Sequence, residues 1–147
     1  MYKKEKYMDT NDDVYRLLYK LGLKDAEIQE INKVNVNLAK VLDIDVLQLL
    51  KYLEAQGLNI DEIIDVSKRN PWILTESFER LNWLEEHYKS IGIEKEKYKD
   101  LIIKYPIALS LNPMKVKLKI QELKENGFSI EEIQEKFFNC FDTYFKI

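Results

Sequence analysis

A chain of 147 residues, 46% hydrophobic and 33% charged, is long enough to bury a core unaided and has an ordinary soluble globular composition. One cysteine, Cys140, and one histidine, His87, leave no internal disulfide, no His/Cys metal cluster and no catalytic triad to be built, and no cofactor is expected. The net charge of −3 is unfavourable to a uniformly basic nucleic-acid surface.

The first residues, MYKKEKYMDTNDD, are polar. They lack the apolar run of a secretory signal, and Glu5, Asp9, Asp12 and Asp13 argue against an organelle transit peptide. No window reaches the apolar length of a membrane span, so a cytoplasmic protein without membrane contact is expected.

Beyond this stretch the chain repeats itself. Its four glycines, Gly22, Gly57, Gly92 and Gly127, stand 35 residues apart, a period typical of stacked supersecondary units. Leu18, Leu53, Tyr88 and Leu123 precede them by four residues, and Ile28, Ile63, Tyr98 and Ile133 follow by six. Pro71 and Pro106 keep the same register, with Val36 and Phe141 in the outer copies. Residues 1–17 read as an N-terminal cap region. Repeats follow at about 18–52, 53–87, 88–122 and 123–147, all within one domain.

Each repeat predicts two helices around a glycine C-cap. The first pair runs over 12–20 and 25–34, the second over 44–55 and 60–69. Asn59 with Glu62 forms a weak capping box for the latter. Pro71 stops that helix, and Trp72-Ile73-Leu74 suits a tight apolar turn in which Trp72 joins the core. The third pair covers 77–90, capped by Ser77, and 95–104, stopped by Pro106 before Ile107-Ala108-Leu109. Trp83 is expected in core or inter-repeat packing. The fourth pair covers 113–125, opened by Asn112-Pro113, and 130–140, opened by the capping box Ser129 to Glu132. In 113–125, Val116, Ile120 and Leu123 form one apolar stripe while Met114 and Leu118 lie opposite, as expected of a helix touching neighbours on two sides. Helix 44–55 reads the same way, with Val46, Leu47, Leu49, Leu50 and Leu53. No strand is predicted.

Charge is distributed unevenly over this frame. Residues 53–87 hold eight acids against three cations, whereas residues 88–122 hold eight cations against four acids. On helix 113–125, Lys117 and Lys124 share a flank free of acids; Lys115 and Lys119 lie on the other, where Glu122 can pair with Lys119. A second set recurs with the period: Lys33 aligns with Lys68, and Arg69 with Lys104. The helix dipole alone favours cations at such C-termini, and a lysine-rich surface helix is commonly just solvated. The acid pairs Asp61-Glu62, Glu85-Glu86 and Glu131-Glu132 are sequence neighbours that share no helix face, so no catalytic carboxylate pair is read. No two glycines lie close enough for a phosphate loop.

Tetratricopeptide signatures are missing. Pentatricopeptide repeats share the period, and Glu122–Gly127 looks like their second-helix ending, but they do not call for a proline and an apolar turn after a helix. The run Leu53–Gly57, Ile60-Asp-Glu-Ile63, Pro71-Trp-Ile-Leu74, Ser77 and Leu81 resembles the repeat of the mitochondrial transcription termination factor (mTERF) family. Gly92, Tyr98, Leu101, Pro106-Ile-Ala-Leu109 and Asn112-Pro-Met repeat it, and Leu123–Gly127 with Phe128-Ser-Ile-Glu-Glu-Ile133 begins it again. The resemblance implies an all-α solenoid: a left-handed superhelix of repeats, each two α-helices and a 3₁₀ turn. It further implies a non-enzymatic protein, related to transcription, that binds double-stranded nucleic acid along a basic concave face. Phosphate contacts are then expected from Lys117 and Lys124, with Lys115, Lys119, Lys68, Arg69 and Lys104 as further candidates. A protein–protein interaction scaffold using the same concave surface is the alternative, favoured by the acidic second repeat.

Overall fold

The glycine period has a direct structural cause. In the computed structural model, which describes residues 12–145, every glycine follows a helix in the left-handed conformation, with φ between 82° and 109°. At Gly57 the glycine amide donates to Glu54 O at 2.9 Å and the Leu58 amide to Leu53 O at 3.3 Å. This paired closure satisfies carbonyls that a helix end leaves open. The same pair of bonds closes the helices at Gly22, Gly92 and Gly127. Positions four before the glycine therefore recur because they supply both the accepting carbonyl and a buried side chain: Leu18, Leu53, Tyr88 and Leu123 are all buried.

Eight α-helices result among the described residues, with no strand: α1 Asp12–Leu21, α2 Asp25–Val34, α3 Asp43–Ala55, α4 Ile60–Arg69, α5 Phe78–Lys89, α6 Glu96–Lys104, α7 Pro113–Glu125 and α8 Ile130–Phe145. They form the expected all-α helical repeat. Most of the polar N-terminal stretch, residues 1–11, lies outside the described residues. Local signals set the starts. Asn59 accepts from the Glu62 amide at 2.8 Å, and the Glu62 carboxylate accepts from the Asn59 amide at 2.9 Å. Ser77 accepts from the Arg80 amide, Asn112 from the Met114 amide, and Ser129 pairs reciprocally with Glu132.

The second helices end on one backbone conformation. Asn70 and Tyr105, each before a proline, sit at φ −135°, ψ 82° and φ −132°, ψ 80°, outside the helical region that a following proline disfavours. Two outcomes here go beyond what the prolines predict, the first of them in line with the 3₁₀ turn per repeat that the family resemblance implies. Asn35 adopts a similar conformation although Val36 follows, and a third 3₁₀ turn, Val36–Ala39, joins Pro71–Thr75 and Pro106–Leu109. The buried Asn35 side chain donates to Pro71 O at 3.0 Å and Thr75 Oγ1 at 2.9 Å, tertiary bonds that no local signal announces. At the other end, α8 does not stop at residue 140. Cys140 leaves helical geometry at φ −133°, ψ 25°, at the register where the other copies end. Phe141, unlike proline, keeps its amide proton and buries its ring against Phe137 and Phe145, so the helix resumes to Phe145.

Contacts divide the chain into two compact units between Glu76 and Ser77. In the first, α1 packs on α2 and α3, α2 on α4, and α3 and α4 on the Pro71–Thr75 turn. Its core includes Leu18, Ile28, Val46, Leu49, Leu53 and Val66. In the second, α5 packs on α7, α7 on α8, and α6 on the Pro106–Leu109 turn. Aromatic rings fill its centre: the buried Tyr88 hydroxyl donates to Ala108 O at 2.7 Å, and Tyr105 stacks on Phe141 at 5.1 Å.

The expected burial of both tryptophans is corrected. Trp72 is 42% and Trp83 46% exposed. In the 3₁₀ turn Ile73 and Leu74 take the inward positions. On α5 the buried stripe is Leu81, Leu84 and Tyr88, which turns Trp83 outward. Nor does α7 bury two faces, since Met114 and Leu118 are 45% and 56% exposed.

Candidate functional site

The second unit brings together the largest group of sequence-predicted cations. Arg80, on the first turn of α5, donates from Nη2 to Ser110 O at 2.8 Å and from Nε to Leu111 O at 3.2 Å. These bonds tie α5 to the segment that leads into α7. Asn112 and Pro113 then start α7, and Val116, Ile120 and Leu123 anchor it in the core. The remaining faces of α7 point to solvent.

Lys117, Gln121 and Lys124 occupy one exposed edge of α7 at i, i+4 and i+7. The other edge carries Lys115 and Lys119. Lys119 pairs with Glu122 at 3.1 Å, as its spacing predicts, and lies 5.4 Å from the centre of the Tyr144 ring. Among the described residues no ion pair engages Lys115, Lys117 or Lys124. Their charge is available to a ligand.

Lys117 bears on His87. Burial, and then the charge of Lys117, hold the His87 imidazole below its ordinary pKa, while Glu86 opposes them. The ring is therefore neutral at neutral pH. It also lies against Trp83, with ring centroids 6.0 Å apart. The i, i+4 spacing of Trp83 and His87 on one helix was visible in the sequence. What the sequence did not reveal is that this face turns outward beside α7.

The periodic cations of the first unit are engaged internally. Lys68 meets Glu27 at 2.8 Å. The Lys68 hydrogen bond, aided by the Lys24 amide, lowers the pKa of the Glu27 carboxyl, and the same pairing raises that of Lys68. Arg69 pairs with Asp65 at 2.7 Å and Lys33 with Glu30 at 3.3 Å. In the second unit, Lys104 lies 5.5 Å from the centre of the Tyr105 ring. Among the described residues no group of three or more His, Cys, Asp or Glu side chains converges as metal ligands would, and no helix is long and apolar enough to cross a membrane.

Two comparisons with known proteins complete the picture. The mTERF family model matches residues 6–144, and no curated protein gives a match.

Proposed function

The chain belongs to the mTERF family, a family of helical-repeat proteins that bind nucleic acid, and from that premise we propose that it binds double-stranded nucleic acid, without catalysing a reaction, in a transcription-related role. Phosphate contacts come from α7, led by Lys117 and Lys124 and supplemented by Lys115. The observation that carries this reading is the exposed edge of α7 formed by Lys117 and Lys124, which no ion pair engages among the described residues. Lys119 contributes less, because Glu122 holds it. Lys68 and Arg69 contribute least, because each would have to leave an acid to reach a phosphate. Lys104 is a secondary contact.

Neutralising a phosphate releases condensed counterions, so affinity must fall linearly in log–log form with salt. The test is a salt titration of binding to random duplex DNA and duplex RNA, with single strands for comparison. Duplex binding at micromolar affinity or better, weakened at least tenfold by Lys117→Glu with Lys124→Glu, supports the proposal. Absence of duplex binding at low salt overturns it.

A further inference from the structure

The exposed face of α7 carries more than lysines. Met114 and Leu118, at i and i+4, form an apolar strip along its outermost side. The bonds from Arg80 to Ser110 and Leu111 set α5 beside α7. The same offset along α5 brings Trp83 level with the first turn of α7, where it lines a cavity of ≈ 340 Å³ with Ser77, Glu79, Arg80, Asn112 and Pro113. Trp83 and Leu118 occupy the same register position of successive repeats. Trp83, Met114 and Leu118 are thus exposed apolar side chains on the adjacent helices α5 and α7, with Lys117 and Lys124 along the edge of α7 nearer His87 and Lys115 along the other.

Phosphate contacts do not use such a strip, because an exposed Trp, Met and Leu gain nothing from an anionic backbone. Removing apolar surface from water is favourable, and Trp and Met are enriched where proteins dock. We infer that this strip is the docking site for an acidic amphipathic helix of a partner protein, its apolar face on Trp83, Met114 and Leu118 and its carboxylates on the lysine edges. Charge complementarity selects this occupant. A lipid surface carrying negative charge would also meet Glu79 and Glu86 of α5 and Glu125 of α7, all exposed. A peptide helix can place its acids over Lys115, Lys117 and Lys124 and an uncharged residue over Glu79, which shares the Trp83 cavity; a uniformly anionic surface cannot. This inference does not rest on duplex binding.

The test uses the full chain in a Trp72→Phe background, so that Trp83 is the sole tryptophan. The probe is a synthetic peptide of about 16 residues with leucines at i, i+4, i+7 and i+11 and flanking glutamates, following the helix-in-groove pattern. The expected result is a saturable blue shift of Trp83 emission with the acidic peptide. Binding should be at least tenfold weaker for the same peptide with lysines replacing the glutamates, and for a polyglutamate of equal length. Met114→Ser and Leu118→Ser, both at exposed positions, should weaken peptide binding at least tenfold and leave duplex affinity unchanged. Equal binding of the acidic and basic peptides overturns the inference, as does full peptide binding by both serine variants. A blue shift with phosphatidylserine vesicles but not with the peptide assigns the strip to a membrane and overturns it. A concentration-dependent dimer abolished by Leu118→Ser assigns it to a second copy, with the same consequence.

Discussion

At the scale of single residues, two positions run against local preference. Lys95, the residue before α6, holds φ 57° and ψ −124°, a conformation that side chains with a Cβ rarely adopt. Its cause is visible in the repeat. The position that carries a capping Asn59 or Ser129 in other copies is Glu94, which makes no comparable cap, and α6 starts one residue later than α4 does. A glycine at 95 relieves the backbone strain at some entropic cost. Lys95→Gly is therefore expected to raise unfolding free energy by about 1 kcal/mol, read from a denaturant midpoint at unchanged slope. His87 is the second position. Its folded pKa lies below its unfolded value of about 6.5, so the native state binds fewer protons between the two. The stability conferred by the neutral ring is complete above the unfolded value and is lost progressively as pH falls from there through the folded value. Lys117→Gln removes one of the two causes, so the His87 pKa followed by NMR should rise. No change on that substitution would mean that burial alone sets it.

At the scale of elements, the glycine caps share a conformation but not an environment. A Cβ at Gly127 would meet nothing within 4 Å, whereas at Gly92 it would collide with the Gln134 side chain. That side chain donates to Ile91 O at 2.6 Å and accepts from Lys97 at 2.8 Å, joining α8 to both ends of the α5–α6 turn. Gly127→Ala should cost only the left-handed penalty, about 1–2 kcal/mol. Gly92→Ala should cost more, since it also displaces Gln134. In a Gln134→Ala background the two glycine substitutions should become similar, and thermal unfolding of the four variants measures that coupling. The same contrast explains what the chain reveals before it is folded. Helix starts and stops were legible because Asn59, Ser77, Asn112, Ser129, the glycines and the prolines act on their own backbone. The Val36–Ala39 turn, implied by the family resemblance but marked by no local signal, and the continuation of α8 depend on distant parts of the chain, because Asn35 bonds to Pro71 and Thr75 and Phe141 packs on Tyr105. The outward placement of Trp83, Met114 and Leu118 was missed for a related reason. Apolar periodicity marks a face as able to pack, and only the neighbouring helices decide whether it does.

At the scale of the whole molecule, a net charge of −3 and a nucleic-acid role are compatible only if binding follows local rather than total charge. Long-range steering responds to the summed field, but counterion release responds to the cations that touch phosphate. These two effects separate experimentally. Lys117→Gln with Lys124→Gln and Lys33→Gln with Lys51→Gln change the net charge equally. The first pair removes unneutralised cations from α7. In the second pair, Lys33 already faces Glu30 at 3.3 Å and Lys51 lies on α3 of the other unit. If α7 supplies the contacts, the first pair should flatten the slope of log affinity against log salt by about 1.8, since each duplex phosphate left without its cation removes roughly 0.9. The second pair should lower affinity slightly at low salt and leave the slope unchanged. Equal flattening by both pairs would show that the protein binds as a diffuse charge, and the lysine edge of α7 would then have no special claim to the phosphates.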